Sequence, residues 1–324
     1  MIGKLIFSSV VAFLSTYAFA ETTPIKAPVK LVVPFGPGGT TDIIARIISD
    51  KLSEEIKQPV IIENKPGAGG SIGAAQVAKS SPDGLTLGLT TVTTNASNHV
   101  FFADIPYHPL RDFEYVITIA ATPKVFVARS DFPANNIKNL TSVVIKNPNK
   151  FSYGAAAGGV DYLYGETFKK LSNIELVFVS YKGGAPALQD LLGGHINLMV
   201  DNLPLVLPHV QSGTVKLLAI SWPTRLKEFP NVPTWAELGY PQLNTYAWYG
   251  LSLPKGTPKH IVEFYNAAMK RVLADPVVQD KLRNNIAYVI ADTPEQAYRT
   301  VEETLIRLEK MAYDLNLVKN TQGK

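Results

Sequence analysis

The chain has 324 residues, 46% of them hydrophobic and 18% charged, with a formal net charge of +4 and no cysteine. That balance supports a sizeable core and more than one domain, and it excludes intrinsic disorder, which combines low hydrophobicity with high net charge. The basic excess is modest and no Lys/Arg run gathers it into a stripe, which argues against nucleic-acid binding.

The first twenty residues, MIGKLIFSSVVAFLSTYAFA, read as a secretory signal. Lys4 is a short positive n-region, residues 5–17 an apolar stretch diluted by Ser and Thr, and Ala18-Phe19-Ala20 a small-x-small cleavage site. An uncleaved anchor is the alternative, but a span needs about 20 apolar residues. Cleavage after Ala20 is expected. Without cysteine there is no disulfide, thiolate nucleophile, Cys-ligated metal or acylated lipoprotein cysteine. A free, soluble periplasmic protein is expected, although that compartment would also tolerate disulfides.

Residues 29–33 form an apolar run, after which Ile43, Ile44, Ile47, Ile48 and Leu52 recur with a helical period. Thr40 or Thr41 is the expected N-cap. A strand at 59–62 closes on Asn64-Lys65-Pro66-Gly67, a helix follows through Ile72, Ala75, Gln76 and Ala78, and Pro82-Asp83-Gly84 turns into a strand at 85–89. Short strands alternating with helices predict βαβ units and a largely parallel sheet. The pattern restarts after about residue 130, with strands at 151–153, 176–179, 195–200 and 215–220 and helices at 161–171, 185–192 and 203–211. Residues 222–247 carry Pro223, Pro230, Pro233 and Pro241 and read as irregular. Beyond Pro258 the chain turns helical over 259–274, 277–285 and 294–316, with Pro276 and Pro294 placed where helices tolerate them. Two α/β units and a helical tail predict two lobes, the tail returning to the first.

Ligands of such sheets sit at the carboxyl ends of strands, so the loops that follow strands matter most. Four are glycine-rich: PFGPGGTT at 34–41, KPGAGGS at 65–71, GAAAGG at 154–159 and YKGGA at 181–185. A fifth, TTVTTNAS at 90–97, is rich in hydroxyls. Glycine lets backbone N–H groups converge on a ligand, and a following helix N-terminus adds partial positive charge. Phosphate, carboxylate or a simple turn all remain open for the first loop. The nucleotide motifs fail by count: Gly36, Gly38 and Gly39 precede Thr40-Thr41 with no P-loop lysine, and Gly67, Gly69 and Gly73 are one residue too widely spaced for G-x-G-x-x-G.

Catalysis finds little support. His99, His108, His195, His209 and His260 are scattered, there is no H-E-x-x-H and no G-x-S-x-G elbow. His108, beside Pro109, reads as a turn residue, and His195 opens a strand after a Gly-Gly pair. No catalytic residue, metal or cofactor is expected. Asp201 ends an apolar strand where it faces a cleft or caps the helix at 203–211, and Asp161 starts a helix, where capping is again the plain alternative.

PFGPGGTTDIIAR, QPVIIENKPGAGGSIGA, SPDGLTL, YKGGAPALQDLLGGHINLMVDNLP and VPTWAELG occur in this order from about residue 29 onward. The chain thereby resembles the Bug-type receptors of tripartite tricarboxylate transporters, extracytoplasmic solute-binding proteins. The resemblance implies an α/β, two-lobed periplasmic-binding-protein fold of type II-like form with the ligand cleft between lobes. Residues 29–126 plus 249–324 would form the first lobe and 127–248 the second. It implies a monomer that holds a small carboxylate through backbone amides, hydroxyls and bridging water, and passes it to membrane permease subunits. By matching position the ligand-binding residues would be Phe35, Gly38, Gly39 and Thr40, then Thr91 and Thr94, then Gly183, Gly184 and Ala185, and Asp201 with Asn202.

One loop departs from the family pattern. Residues 153–162 read YGAAAGGVDY, losing hydroxyl donors and gaining Asp161 and Tyr162. Ala156, Gly158, Asp161 and Tyr162 are therefore expected at the far end of the ligand. An unpaired carboxylate there would repel a dianion. The expected ligand has one carboxylate and a cationic or neutral polar end, an amino acid or an aromatic acid stacked on Tyr162. A sensor subunit feeding a signalling receptor is the alternative output, and a secreted serine hydrolase the alternative class.

Overall fold

The computed structural model describes residues 23–102, 104–156, 159–314 and 316, so the expected signal segment lies outside the described residues. The main elements, in chain order, are β1 (Val29–Val33), α1 (Thr40–Ile56), β2 (Val60–Asn64), α2 (Ser71–Ala78), β3 (Thr86–Thr91), α3 (Asn98–Phe101) and β4 (Phe113–Arg129). Then come α4 (Ile137–Ile145), β5 (Ser152–Ala156), α5 (Val160–Ser172), β6 (Val177–Tyr181), α6 (Gly184–Gly193), β7 (Leu198–Asn202), α7 (Leu203–Gln211) and β8 (Val215–Ser221). The chain continues with β9 (Tyr246–Pro254), α8 (Lys259–Ala274), α9 (Pro276–Asn284), β10 (Tyr288–Val289) and α10 (Pro294–Asp314).

The strands run in the order β2-β1-β3-β9-β4-β7-β5-β6, with β8 and β10 also on β4. In lobe 1, β1 lies parallel to β2 and β3; in lobe 2, β5 lies parallel to β6 and β7. These are the βαβ units that the alternating pattern predicts, since a helical crossover returns the chain in the same direction. The sheet as a whole is mixed rather than largely parallel. β9 runs antiparallel to β3 and β4, and β4 antiparallel to β7 and β8.

The reason is β4 itself. Phe113 to Pro123 pair with β9, and from Lys124 to Arg129 the same strand pairs with β7 and β8. One strand thus serves both lobes, with a proline, which cannot donate to a ladder, at the changeover. β9 returns antiparallel alongside the Phe113–Pro123 half of it, in the sheet of the first lobe.

Each lobe has its own core. Leu31, Ile44, Ile48, Leu251, Tyr265 and Met269 are buried together in lobe 1, and Phe126, Tyr153, Phe168 and Trp235 in lobe 2. Trp235 anchors the irregular segment 222–247, its ring centroid 5.1 Å from that of Phe168. Leu305 and Leu308 of α10 share a third cluster with Val160 and Leu163 of α5 and with Trp248 of β9. Each such buried aliphatic chain contributes about 1.5–3 kcal/mol. The C-terminal helix and the start of α5 thus contribute to one shared cluster.

Candidate ligand-binding cleft

β1 delivers the chain into residues 34–39, where Gly38 has φ +83°, a backbone region that suits glycine. Its N–H donates to Asp42 Oδ2 at 3.0 Å. Arg46 Nε donates to the same oxygen at 2.8 Å, and the Asn64 amide, at the end of β2, donates to Asp42 Oδ1 and to the Phe35 carbonyl at 3.0 Å each. Burial opposes the charged form of Asp42, yet Arg46, the Gly38 N–H and Asn64 outweigh it and hold the carboxyl below its ordinary value. Asp42 is thus the clasp that shapes the loop. Thr40 is the first residue of α1 and Gly39, in extended conformation, its N-cap, so the expected threonine cap is replaced by one with no side-chain hydrogen bond.

The same feature recurs in lobe 2. α5 starts behind Gly159, α6 behind Gly183 and α7 behind Asn202, and none of these N-caps makes a side-chain cap bond. Asp161 lies in the first turn of α5 without capping it, and Asp201 precedes the α7 cap. Elsewhere, Asn136 caps α4 and Asp275 caps α9 through their side chains, while α2, α3 and α8 also lack a side-chain cap. An uncapped N-terminus leaves first-turn N–H groups in want of acceptors and presents the positive end of the helix dipole.

These four helix starts border one cleft of about 230 Å³. Phe35, Gly39, Thr40 and Thr41 line it from the first loop, and Thr91, Val92 and Thr93 from the hydroxyl-rich one. Ala156, Val160 and Asp161 line it around the start of α5, Lys182, Gly183, Gly184 and Ala185 at α6, and Asp201, Asn202 and Leu205 at α7. Ala247, Trp248 and Tyr249 of β9 form its floor. Gly38 is engaged with Asp42 instead. Thr94 spends its hydroxyl on Asn95 Oδ1 at 2.7 Å and on Thr91, outside the lining. Tyr162 is also outside it, its ring 4.7 Å from Phe178 and 6.4 Å from Phe101. Gly158 lies outside the described residues.

The charge in the cleft differs from the expectation of an unpaired Asp161. Lys124, 1% exposed, donates to Asp161 Oδ1 and, at 3.1 Å, to Asn202 Oδ1. Lys124 has no place in the sequence-based expectation, although its signal was available: one lysine within the apolar run ITIAATPKVFVA. Its partner sits 37 positions away on another element, beyond any local pattern. Asp201, also buried, accepts from its neighbour's N–H, Asn202 N to Oδ1, at 2.6 Å. Burial first, and the Asp161 carboxylate second, push its pKa up to about 7 against the opposing pull of Asn202 N–H and Lys124. Burial also pushes up the Tyr249 phenol, which stays a neutral donor beside the hydroxyls of Thr122 and Thr40. Among the described residues, no group of three or more His, Cys, Asp or Glu is placed to hold a metal ion.

A cleft between two α/β lobes, rimmed by uncapped helix starts, invites comparison with binding proteins. The family model for the tripartite tricarboxylate transporter family receptor matches residues 44–317. The chain belongs to that family. The receptor is 33% identical to protein BugT of Bordetella pertussis over 290 residues, 89% of each chain. Its fold is similar to the periplasmic binding protein BugD, with a TM-score of 0.87, 33% identity and coverage of 91% of this chain and 100% of the other. It is similar too to MatC of Rhodopseudomonas palustris, solved with malate, with a TM-score of 0.84, 33% identity and coverage of 88% and 98%. A second R. palustris protein, solved with adipate, has a TM-score of 0.86, 35% identity and coverage of 90% and 97%. The receptor is accordingly a periplasmic solute-binding protein of this family, and no helix among its described residues is long and apolar enough to cross a membrane.

Proposed function

We propose that the receptor captures a small organic carboxylate in this cleft, closes its lobes around it and delivers it to the permease of a tripartite tricarboxylate-type uptake system. The observation that carries the reading is the convergence of four helix starts without side-chain caps on one enclosed space. First-turn N–H groups and helix dipoles favour an anion, and cost little reorganisation because glycine loops already hold them in place. The threonine hydroxyls add neutral donors, and water can bridge the remainder at little loss. The malate and adipate found in two relatives support an acid ligand of this size. The binding role extends to the lining residues among those expected from sequence, from Phe35, Gly39 and Thr40 to Asp201 and Asn202.

Closure follows from the architecture. β4 runs from the sheet of one lobe into that of the other, so a small change of backbone angle where it leaves β9 at Pro123 would swing one helix set toward the other. Thermal-shift screening of the purified receptor against a panel of carboxylates tests the reading, because a ligand that binds only the folded state raises the midpoint by mass action. A panel in which acids leave the midpoint unchanged while neutral sugars or cations raise it would overturn it.

A further inference from the structure

β4 passes from one lobe to the other between Pro123 and Lys124, and two segments flank that changeover. Ser221 at the end of β8 pairs with Lys124, so Trp222 follows on the lobe 2 side. Tyr288 and Val289 of β10 pair with Ala121 and Ala120, on the lobe 1 side. Two rings meet across the changeover. Trp222 and Tyr288 are stacked, their centroids 4.7 Å apart and their planes 24° from parallel. Tyr246 of β9 packs edge-on to Trp222 at 5.4 Å. The Trp222 N–H donates to Asn244 Oδ1 at 3.2 Å, which fixes the backbone that carries the ring.

The turn before β10 crosses the same line. Ile286 and Ala287 are neighbours in the chain, yet Ala287 is buried in the core of lobe 1 and Ile286 among Val125, Ile220 and Leu226 of lobe 2. Ile286 has φ +52°, just after the α9 C-cap, and Ala291 beyond β10 has φ +58°. The left-handed position after a helix usually goes to glycine, and a β-branched residue there is an outlier. Such strain persists where surrounding contacts over-determine the backbone, and it gathers at clamps and switches. For Ile286 those contacts belong to the opposite lobe. None of Trp222, Ile286 and Tyr288 lines the cleft.

We propose that Trp222, Ile286 and Tyr288 form a latch across the changeover that holds part of the ligand-free receptor in its closed arrangement. The inference rests on the closure reading above and goes beyond it, because it puts a determinant of affinity outside the ligand site. The stack coexists with a cleft bordered by both lobes. Rotation about Pro123 carries Trp222 along with β8, while Tyr288 stays paired with Ala121. Opening therefore slides the rings apart and draws Ile286 out of its cluster. Apparent affinity scales with the fraction of receptor already competent to bind, so the latch tunes capture without touching the ligand.

The chain has no cysteine, so a pair of introduced ones takes spin labels alone. Ile72→Cys at the start of α2 and Gln189→Cys on α6 place exposed labels on opposite lobes. Pulsed dipolar electron paramagnetic resonance reads the distance between them. Without ligand, the parent should show a short and a long population. Tyr288→Ala or Trp222→Ala should shift their ratio toward the long one by about two- to tenfold, the contribution of one aromatic pair. The double variant should go no further than Trp222→Ala alone. Tyr288→Phe keeps the stack and should match the parent.

A parent with no short population would overturn the latch. So would alanine variants that leave the ratio unchanged or shift it toward the short distance, or a Tyr288→Phe variant as displaced as Tyr288→Ala. If Trp222→Ala does not fold, Tyr288→Ala, at a residue 38% exposed, decides. Succinate, glutarate and benzoate, added in turn to the labelled parent, separate the latch from the reading beneath it. Acids that shorten the distance while the alanine variants match the parent would remove the latch and leave that reading standing. Distances that depend on the latch and that no acid shortens would keep the latch and remove the carboxylate ligand. Distances that respond to neither would remove both.

Discussion

The backbone N–H of Gly38 and the carboxylate of Asp42 are 3.0 Å apart, and that bond closes the loop in front of α1 upon the helix's own first turn. Arg46 and Asn64 complete the carboxylate's coordination. The glycine loop is therefore held in shape by a helix residue.

Asp42→Ala should cost about 1–3 kcal/mol of stability and weaken ligand binding by loosening the loop, as read by urea denaturation and titration. Since the folded carboxyl titrates below its ordinary value of 3.8, its stabilisation is fully present above that value and is lost as pH falls through the lowered one. The acid limb of the stability profile should be shallower in the variant. An acid limb identical to the parent's would remove Asp42 from this role.

Gly39→Val separates loop geometry from ligand contact. Gly39 has φ −77°, and a Cβ there would meet only Gly36 O at 3.8 Å, so the folded chain accommodates the substitution. The added methyls enter the cleft. Binding should be lost with a melting temperature within a few degrees of the parent, and undisturbed binding would make the loop a mere turn.

Gly184→Ala should do the opposite. Its Cβ would run into Asp201 Oδ2 and Leu205, so the start of α6 has to move. Overpacking of this kind costs about 1–3 kcal/mol, visible as a lower denaturation midpoint even without ligand.

Lys124→Met strands the buried carboxylate of Asp161. Removing one partner of a buried pair costs about 3–5 kcal/mol, and denaturation at pH 7 should show a loss on that scale. Lys124→Met with Asp161→Asn should recover most of it, because the pair is in direct contact and its substitutions do not add. A double variant as unstable as the single one would contradict the pairing.

Asp201 gives a pH dependence of the reverse sign to Asp42. Its folded pKa is raised to about 7 from 3.8, so the folded state holds a proton that the unfolded chain has released. Stability of the ligand-free receptor should fall as pH rises between those values, by about 1.4 kcal/mol for each tenfold drop in proton concentration. Asp201→Asn should flatten the slope, and an unchanged slope would assign it to other groups.

Much of the fold is legible in local patterns. The spacing of Ile44, Ile47, Ile48 and Leu52 marks α1, and Pro276 and Pro294 mark the starts of α9 and α10, because helix period and proline sterics act within a few residues. The caps are less legible. Thr40 and Thr41 have the chemistry of an N-cap, but Gly39 takes the position, since the cleft-facing loop leaves those N–H groups uncapped. The long β4 is legible as an apolar run, not as a strand that changes partners at Pro123.

Sequence by itself determined the alternation of strands and helices, the glycine loops between them and the family to which the chain belongs. Tertiary structure decided what those loops surround. It brought Lys124 of β4 onto Asp161 of α5, turning a carboxylate expected to stand alone into half of an ion pair. It turned Tyr162 away from the cleft toward Phe178, and left Asp201 with an open oxygen inside it. The physical reason is range: propensity and turn chemistry act over a handful of residues, whereas charge pairing and burial depend on which distant segments the folded sheet sets side by side.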